Sequence, residues 1–248
     1  MNLPGYAVIE HLSRTRRFDT YEVWSEERAC SCVAKVVRED RRGDAHVREA
    51  LIDEGARLIG LVHPHIVRGY ELVAGPDAAV IMETLDGETV AHLVDRHPDG
   101  LPAEDVAWLG IHVASALRYL HGRGLLHLDV KGSNVVADGG RAKLIDLSLA
   151  RPPGRYEAGL GTWCYLSPEQ DAGEELGPPA DVWGLGMTLY EAATGDEVEG
   201  RPPSARDRAP EPLAAAIDAC LEPDPAERPS LDELLRRLRL DVLGAVPC

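Results

Sequence analysis

The pattern of hydrophobic and polar positions divides the chain into a strand-rich part followed by a helix-rich part. Residues 29–37 are rich in β-branched side chains, and residues 78–83 form a short apolar run that ends at polar residues, so both predict strands. Between them lies a predicted helix whose apolar face consists of Val47, Leu51, Leu58 and Leu61. Pro64 should end this helix. The first 84 residues are therefore predicted to be mostly strands, with one helix.

Helical spacing dominates from residue 85 onward. One predicted helix ends near Gly122, and its apolar face consists of Val106, Leu109, Val113, Leu117 and Leu120. A second apolar helix covers residues 181–194 and is closed by Gly195. The last helix should begin with a capping box formed by Ser230 and Glu233. Residues 200–212 are rich in Pro, Arg and Ala and predict an irregular surface segment.

A hairpin is predicted in the middle of the helical part. Its strands are residues 134–137 and 141–146, and Asp138-Gly139-Gly140 forms the turn. A loop of about twenty residues rich in Gly and Pro follows, and loops of that length in compact domains are usually functional or disordered. Together these elements predict an α+β protein of one domain, in which a β-rich part precedes a larger helical part.

Composition narrows the possible partners. The formal net charge of −16 argues against nucleic acid, because phosphate backbones are bound by clustered Lys and Arg. The acidic balance fits a basic protein substrate as well as an ordinary solvated surface. No run approaches the roughly 18 apolar residues of a membrane span. Residues 1–6 do not resemble a signal peptide, so we expect a cytoplasmic protein without a membrane partner.

The five cysteines are expected to be reduced thiols. They are Cys30, Cys32, Cys164, Cys220 and Cys248. The first two are too close in sequence for an ordinary disulfide, and no second Cys or His cluster completes a zinc site.

The densest chemical signal is residues 127–134, HLDVKGSN, which lie between a predicted helix and the hairpin. The whole chain has three Lys and two Asn, yet Lys131 and Asn134 follow Asp129 within five residues. An Asp in a rigid loop can accept a hydroxyl proton, a nearby Lys can neutralise a transferring phosphoryl group, and an Asn oxygen can bind Mg²⁺. Asp146, at the end of the second hairpin strand, adds a carboxylate. The segment predicts phosphoryl transfer.

This segment resembles the protein-kinase catalytic loop H-R-D-L-K-x-x-N. The similarity to eukaryotic-type (Hanks-type) serine/threonine protein kinases extends over nearly the whole chain. It implies a bilobal α+β fold, with residues 1–84 as a small N-terminal lobe and residues 85–248 as a helical C-terminal lobe. It also implies ATP and Mg²⁺ as cofactors and a protein as the phosphate acceptor.

The resemblance assigns roles to individual residues. Its catalytic residues are Asp129, Lys131, Lys35, Glu54 and Thr162. Its ATP-binding residues are Lys35, Val33, Met82, Glu83, Leu85, Val136, Ser13, Thr15 and Thr20. Its Mg²⁺ ligands are Asn134 and Asp146. By the same resemblance Lys35 pairs with Glu54, Met82 is the gatekeeper, and the backbones of Glu83 and Leu85 bind the adenine edge.

Three further segments match family patterns. Residues 161–169 resemble G-T-x-x-Y-x-A-P-E, and residues 181–186 resemble D-V-W-S-x-G. Arg228 occupies the place of the Arg that forms a buried ion pair with Glu169 in the family. Lys131 together with the Thr of the first segment is typical of the serine/threonine branch.

Three departures distinguish the chain from the usual family pattern. The three Gly positions of the glycine-rich loop are occupied by Ser13, Thr15 and Phe18, and its Val position by Thr20. Glycines there let backbone N–H groups approach phosphates closely. Arg14, Arg16 and Arg17 either supply charge to the phosphates instead or are solvent-exposed on a hairpin. Leu128 replaces the Arg that clamps a phosphorylated activation loop, which makes the chain a non-RD type, and Ser148 replaces the Gly of D-F-G.

Three hypotheses on function follow. The first is a Mg²⁺-dependent serine/threonine protein kinase that transfers the γ-phosphate of ATP to a protein hydroxyl. The second is a pseudokinase that acts as a binding or scaffolding module, which the lost glycines would support. The third, phosphotransfer to a small molecule, accounts neither for Thr162 nor for Arg228.

Overall fold

The computed structural model describes residues 3–75, 77–197, 202 and 204–244. It contains two compact units, Met1–Asp86 and Gly87–Cys248. The first unit is dominated by a sheet and the second by helices, so the protein is of the α+β class, as the sequence predicts.

The first unit is an antiparallel five-stranded sheet with one helix. Its strands are β1 (Tyr6–Arg14), β2 (Phe18–Ser25), β3 (Cys30–Val37), β4 (Gly69–Val73) and β5 (Ala79–Glu83), in the order β1-β2-β3-β5-β4. Alternation along β3 gives the sheet two different faces. One face is an apolar core that includes Val23, Cys32, Ala34 and Ile81. The opposite face carries Lys35.

Helix α1 (Ala45–Ile59) packs against strands β3, β4 and β5. The Asp44 carboxylate caps its N-terminus by accepting the backbone N–H groups of His46 and Val47. A side chain at Gly55 would lie 2.7 Å from atoms of Leu72 and Val80, so glycine permits this close approach of helix and sheet. The helix ends at Ile59, two residues before the last position of the predicted apolar face, and Leu61 is buried beyond the helix end.

The second unit is organised around long apolar helices. Its helices are α2 (Val90–Asp95), α3 (Ala103–His121), α4 (Pro168–Ala172), α5 (Pro178–Thr194), α6 (Glu211–Cys220) and α7 (Leu231–Arg237). All five residues of the predicted α3 face are buried. Nearly every residue of α5 is buried, and Gly195 ends this helix with φ of 75°.

Short strands complete the second unit. They are β6 (Glu88–Thr89), β7 (Val135–Asp138), β8 (Arg141–Leu144), β9 (Gly154–Arg155) and β10 (Glu175–Leu176). The predicted hairpin corresponds to β7–β8. Asp138, expected in the turn, belongs to β7 and pairs with Arg141, so the turn consists of Gly139 and Gly140, which both have positive φ. The long loop after the hairpin is not structureless, because it contains β9, which pairs with β10 beyond α4. A two-residue strand is too short to show an alternation of apolar and polar residues, so the sequence did not predict these strands.

Two expectations at the C-terminal end need correction or qualification. The capping box is half formed: the Ser230 hydroxyl accepts the Glu233 N–H, but the Glu233 carboxylate binds Arg236 and Arg237 instead of reaching back. Charged donors one turn away compete successfully with a neutral amide. Of the predicted irregular segment, residues 200, 201 and 203 lie outside the described residues, and α6 already begins at residue 211.

The four described cysteines are free thiols, and Cys248 lies outside the described residues. Among the helices that the structure describes, none combines the length and the apolar character needed to cross a bilayer.

Candidate active site

Lys35 and Glu54 form a buried ion pair in the first unit. The Lys35 ammonium Nζ lies 2.8 Å from both Glu54 carboxylate oxygens, and the two side chains are 10% and 3% exposed. β3 holds the Lys through its pairing with Val80 on β5, and α1 presents the Glu from one of its buried positions. The structure thus brings together the two residues that sequence similarity paired.

The hairpin between β1 and β2 is closed by its own hydrogen bonds. The Thr15 N–H donates to the Phe18 carbonyl oxygen over 2.8 Å, and the Phe18 N–H donates to Thr15 Oγ1 over 3.0 Å. Ser13 pairs with Thr20 across the two strands. Ser13 and Thr15 are exposed, and Thr20 is half-buried. Phe18 is almost completely buried.

Arg14, Arg16 and Arg17 of this hairpin are exposed. This agrees with the second of the two alternatives from the sequence, that they face the solvent. Arg14 is bound to the Asp19 carboxylate by two hydrogen bonds of 2.7 and 3.2 Å. These bonds lower the pKa of Asp19. Arg14 therefore serves the hairpin as a structural partner of a buried carboxylate.

In the first unit, the residues expected around adenine lie on β3 and on or just after β5. Val33 pairs with Met82 in the sheet, which places both side chains on the face that carries Lys35. The Glu83 N–H donates to the Arg68 carbonyl oxygen over 2.9 Å, and Leu85 is half-buried just beyond the strand. In the second unit, Val136 is buried on β7.

Asp129 is the centre of a polar cluster in the second unit. Thr162 donates its hydroxyl to Asp129 Oδ1 over 2.7 Å. Lys131 Nζ lies 2.8 Å from Asp129 Oδ2 and 2.6 Å from the Thr162 oxygen. Thr162 is 33 residues from Asp129 in sequence, so the fold of the long loop completes this cluster.

Asn134 is oriented by the same aspartate. Its Nδ2 donates to Asp129 Oδ2 over 3.0 Å and to the Asp129 carbonyl oxygen over 2.9 Å. Among the described residues none donates to Asn134 Oδ1, so this oxygen keeps its capacity to accept or to bind a metal. Asp146 accepts the Ser148 N–H with one carboxylate oxygen, at 2.9 Å. An amide oxygen and a carboxylate are hard oxygen donors and suit Mg²⁺.

A buried aspartate of α5 holds the loop that carries Asp129. Asp181 is 1% exposed and accepts the backbone N–H groups of His127 and Leu128 over 2.8 and 2.7 Å. It also lies 2.7 Å from His121 Nε2. Leu128 has a backbone φ of 63°, which is unfavourable for residues other than Gly. The hydrogen bonds from the loop to Asp181 stabilise this backbone conformation.

Sequence reasoning matched Asp181 to a family pattern but assigned it no role. Its signal was available: a carboxylate at the start of an otherwise apolar, buried helix needs partners of its own. His127 is also fully buried, and burial lowers its pKa, so the imidazole is neutral and accepts the Asp129 N–H at Nδ1 over 3.3 Å.

A leucine cluster surrounds Leu128. Its buried members are Leu126, Leu128, Leu160, Leu176 and Ala180, and Leu149 and Tyr156 pack against them. Gln170 ties the same region together, because its Nε2 donates to the carbonyl oxygens of Leu128 and Leu160 over 3.0 and 2.9 Å. The cluster thus joins the Asp129 loop to the long loop that follows β8.

Glu169 and Arg228 form a bidentate pair beneath this region. The two N···O distances are 2.6 and 2.8 Å, and the side chains are 4% and 0% exposed. The guanidinium also donates to the carbonyl oxygens of Pro179, Glu222 and Pro223. The N–H groups of the guanidinium therefore all donate to oxygen acceptors, as burial of an Arg requires.

Two features near Thr162 had no sequence signal. The Tyr165 hydroxyl donates to Glu191 over 2.6 Å, and burial raises the pKa of Glu191 to about 7. Trp163, the residue after Thr162, is 71% exposed. Because Trp163 directly follows Thr162, an exposed indole adjoins a member of the Asp129 cluster in sequence.

Comparison with family models gives a match to the protein kinase domain over residues 18–238. The matched range begins after Ser13 and Thr15.

Three of the proteins similar to this chain come from the bacteria Streptomyces coelicolor, Mycobacterium tuberculosis and Mycobacterium leprae. The chain is 34% identical over 238 residues to the serine/threonine-protein kinase PkaA of Streptomyces coelicolor, which covers 85% of the chain and 43% of that protein. It is 30% identical over 253 residues to the serine/threonine-protein kinase PknF of Mycobacterium tuberculosis, covering 90% and 53%. With PknB of Mycobacterium leprae the identity is 34% over 175 residues, covering 65% and 28%. The chain spans about half or less of each relative's length.

Proposed function

Because the chain belongs to the protein kinase domain family, we propose that it is a Mg²⁺-dependent serine/threonine protein kinase that transfers the γ-phosphate of ATP to a protein hydroxyl. The observation that carries the proposal is the cluster of Asp129, Lys131 and Thr162, in which the carboxylate already accepts a hydroxyl over 2.7 Å. The relatives described above bear the name of serine/threonine-protein kinases, which supports the same activity.

Asp129 is proposed to orient the acceptor hydroxyl and take its proton. As the substrate oxygen forms its bond to the γ-phosphorus, the bond from that phosphorus to the β-phosphate oxygen breaks and ADP leaves. The Lys131 ammonium, 2.8 Å from the Asp129 carboxylate, would neutralise charge on the transferring group. Thr162 holds the Lys131 and Asp129 side chains together in this orientation.

Asn134 and Asp146 are proposed to bind Mg²⁺ through their side-chain oxygens. Mg²⁺ supplies charge neutralisation for the phosphate oxygens. This role for Asn134 is supported by the two hydrogen bonds of its amide nitrogen to Asp129, which hold the side chain and leave its oxygen for the metal.

Residues 1–84 are proposed to form an N-terminal lobe and residues 85–248 a C-terminal lobe, and each is proposed to contribute residues to nucleotide binding. Lys35, oriented by Glu54, would bind the α- and β-phosphates. The adenine would be enclosed by Val33, Met82 and Val136 and bound by the backbones of Glu83 and Leu85. Ser13, Thr15 and Thr20 would lie over the nucleotide as part of the hairpin.

The decisive test is transfer of labelled phosphate from ATP to a basic protein and to the chain itself. We expect Mg²⁺-dependent incorporation that is lost with EDTA and in an Asp146→Asn variant, because the variant loses a charged metal ligand. The same variant should lose any Mg²⁺-dependent increase in melting temperature that ATP produces. Equal background signal from wild type and Asp146→Asn at millimolar ATP would contradict the proposal and favour the pseudokinase.

We also expect activity without phosphorylation of the long loop. Leu128 cannot bind a phosphate, and the leucine cluster already holds the loop, with Tyr156 donating its hydroxyl to the Pro152 carbonyl oxygen. Protein treated with phosphatase should therefore transfer phosphate as fast as untreated protein. A large activation on phosphorylation of Tyr156 would contradict this expectation.

A further inference from the structure

Phe18 is the only phenylalanine in the chain, and it occupies an unusual place. It is the first residue of β2, at the position where the family pattern has the third glycine of the glycine-rich loop. A glycine there would leave space above the strand. The phenylalanine instead carries a large ring, and this ring is only 6% exposed.

Strand pairing directs this ring toward Lys35. Thr20 on β2 pairs with Lys35 on β3, so their side chains lie on one face of the sheet. Phe18 is two residues from Thr20 and lies on the same face. Accordingly, the Lys35 ammonium lies 5.1 Å from the centre of the Phe18 ring, within cation–π distance. The ammonium is thus contacted by Glu54 and by an aromatic ring.

The backbone of the hairpin offers little to a phosphate. Phosphate-binding loops work because consecutive backbone N–H groups point at the anion. Here the N–H groups of Thr15, Arg17 and Phe18 all donate within the turn, to the Phe18 carbonyl oxygen or to Thr15 Oγ1. A phosphate would have to break these bonds to use them.

Two ion pairs keep the hairpin in this conformation. Arg14 binds the buried carboxylate of Asp19 through two hydrogen bonds. Arg38 donates to the Thr15 carbonyl oxygen over 3.1 Å and is itself paired with Asp40. The turn of the hairpin is therefore closed by its own hydrogen bonds, and the Phe18 ring lies on the sheet face that carries Lys35.

We propose that the Phe18 ring occupies the position beside Lys35 that the phosphates of a nucleotide require, so that this site recognises adenosine and admits a triphosphate only when the ring moves. The inference rests on the proposed function, because it takes Lys35 as the phosphate-binding lysine. It makes Phe18 the residue that sets how much the phosphates contribute to nucleotide affinity.

Affinities for adenosine, ADP and Mg²⁺–ATP, measured by calorimetry, test this directly. We expect the three dissociation constants to agree within about tenfold. Mg²⁺–ATP binding more than about a hundredfold tighter than adenosine would overturn the inference and leave the proposed kinase activity intact. Binding of ATP without any binding of adenosine would do the same. If none of the three binds, both the inference and the proposed function fail.

The single phenylalanine also permits a test without any substitution. Protein grown with 4-fluorophenylalanine carries one fluorine, at Phe18, and should give one ¹⁹F resonance. We expect this resonance to shift when Mg²⁺–ATP saturates the site and to stay in place with saturating adenosine. A resonance that does not move at saturating Mg²⁺–ATP would show that the ring and the phosphates do not compete, and would overturn the inference.

Two variants separate the bulk of the side chain from other effects. Phe18→Gly removes the ring and should tighten Mg²⁺–ATP binding by about tenfold relative to adenosine. Phe18→Leu keeps an apolar side chain of similar reach and should leave that ratio near the wild-type value. An unchanged ratio in a folded Phe18→Gly variant would overturn the inference. Circular dichroism monitors folding, and if the glycine variant does not fold, the fluorine experiment on the unsubstituted chain decides.

Discussion

Replacement of Asp129 by Asn is expected to slow phosphate transfer by about 10²–10⁴-fold, the usual contribution of a general base. Asn has nearly the same shape but cannot accept the hydroxyl proton. Its oxygen can still accept from Asn134 and Lys131, and its nitrogen can donate to the Thr162 oxygen, so the loop should keep its conformation. The measurement is the initial rate of labelled phosphate incorporation at saturating ATP.

The control for this variant is Asp171→Asn, the same chemical change at an exposed position of α4. It should transfer phosphate at the wild-type rate. Nucleotide affinity of Asp129→Asn should also remain close to wild type, because the residue is assigned to the acceptor hydroxyl. A wild-type transfer rate in Asp129→Asn would show that this carboxylate is not the base.

Replacement of Arg228 by Ala should lower the free energy of unfolding by about 3–5 kcal/mol, because it leaves the Glu169 carboxylate buried without its charged partner. The variant also removes the donor to the carbonyl oxygens of Pro179, Glu222 and Pro223. Loss of a hydrogen-bond donor to each of these acceptors lowers stability further. Chemical denaturation without nucleotide measures the loss, since the pair is structural and needs no ligand.

Arg237→Ala is the matched control for Arg228→Ala. Arg237 also binds a carboxylate, Glu233, but both side chains are about one-third exposed, at 34% and 37%. Exposed pairs of this kind contribute little to stability, so this variant should unfold almost like wild type. If Arg228→Ala had the wild-type melting temperature, the proposed structural role of the pair would be wrong.

The local features of this protein can be predicted from the order of its residues. Asp129, Lys131 and Asn134 lie within six residues, so their spacing alone indicated that they belong to one loop. The same holds for the apolar face of α3 and for the Gly139-Gly140 hairpin turn, because periodicity and turn chemistry act between near neighbours. Distant pairs such as Glu169 and Arg228 were expected only through resemblance to a family.

Tertiary structure alone decided three features. The ring of Phe18 reaches Lys35 because of the register between β2 and β3, and register depends on the whole sheet. Asp181 binds a loop more than fifty residues away. The leucine cluster contains apolar residues from several segments of the chain. The sequence does not indicate which aliphatic side chains pack against each other. Hydrophobic burial is non-directional, so the packing of the complete fold selects which of these residues meet.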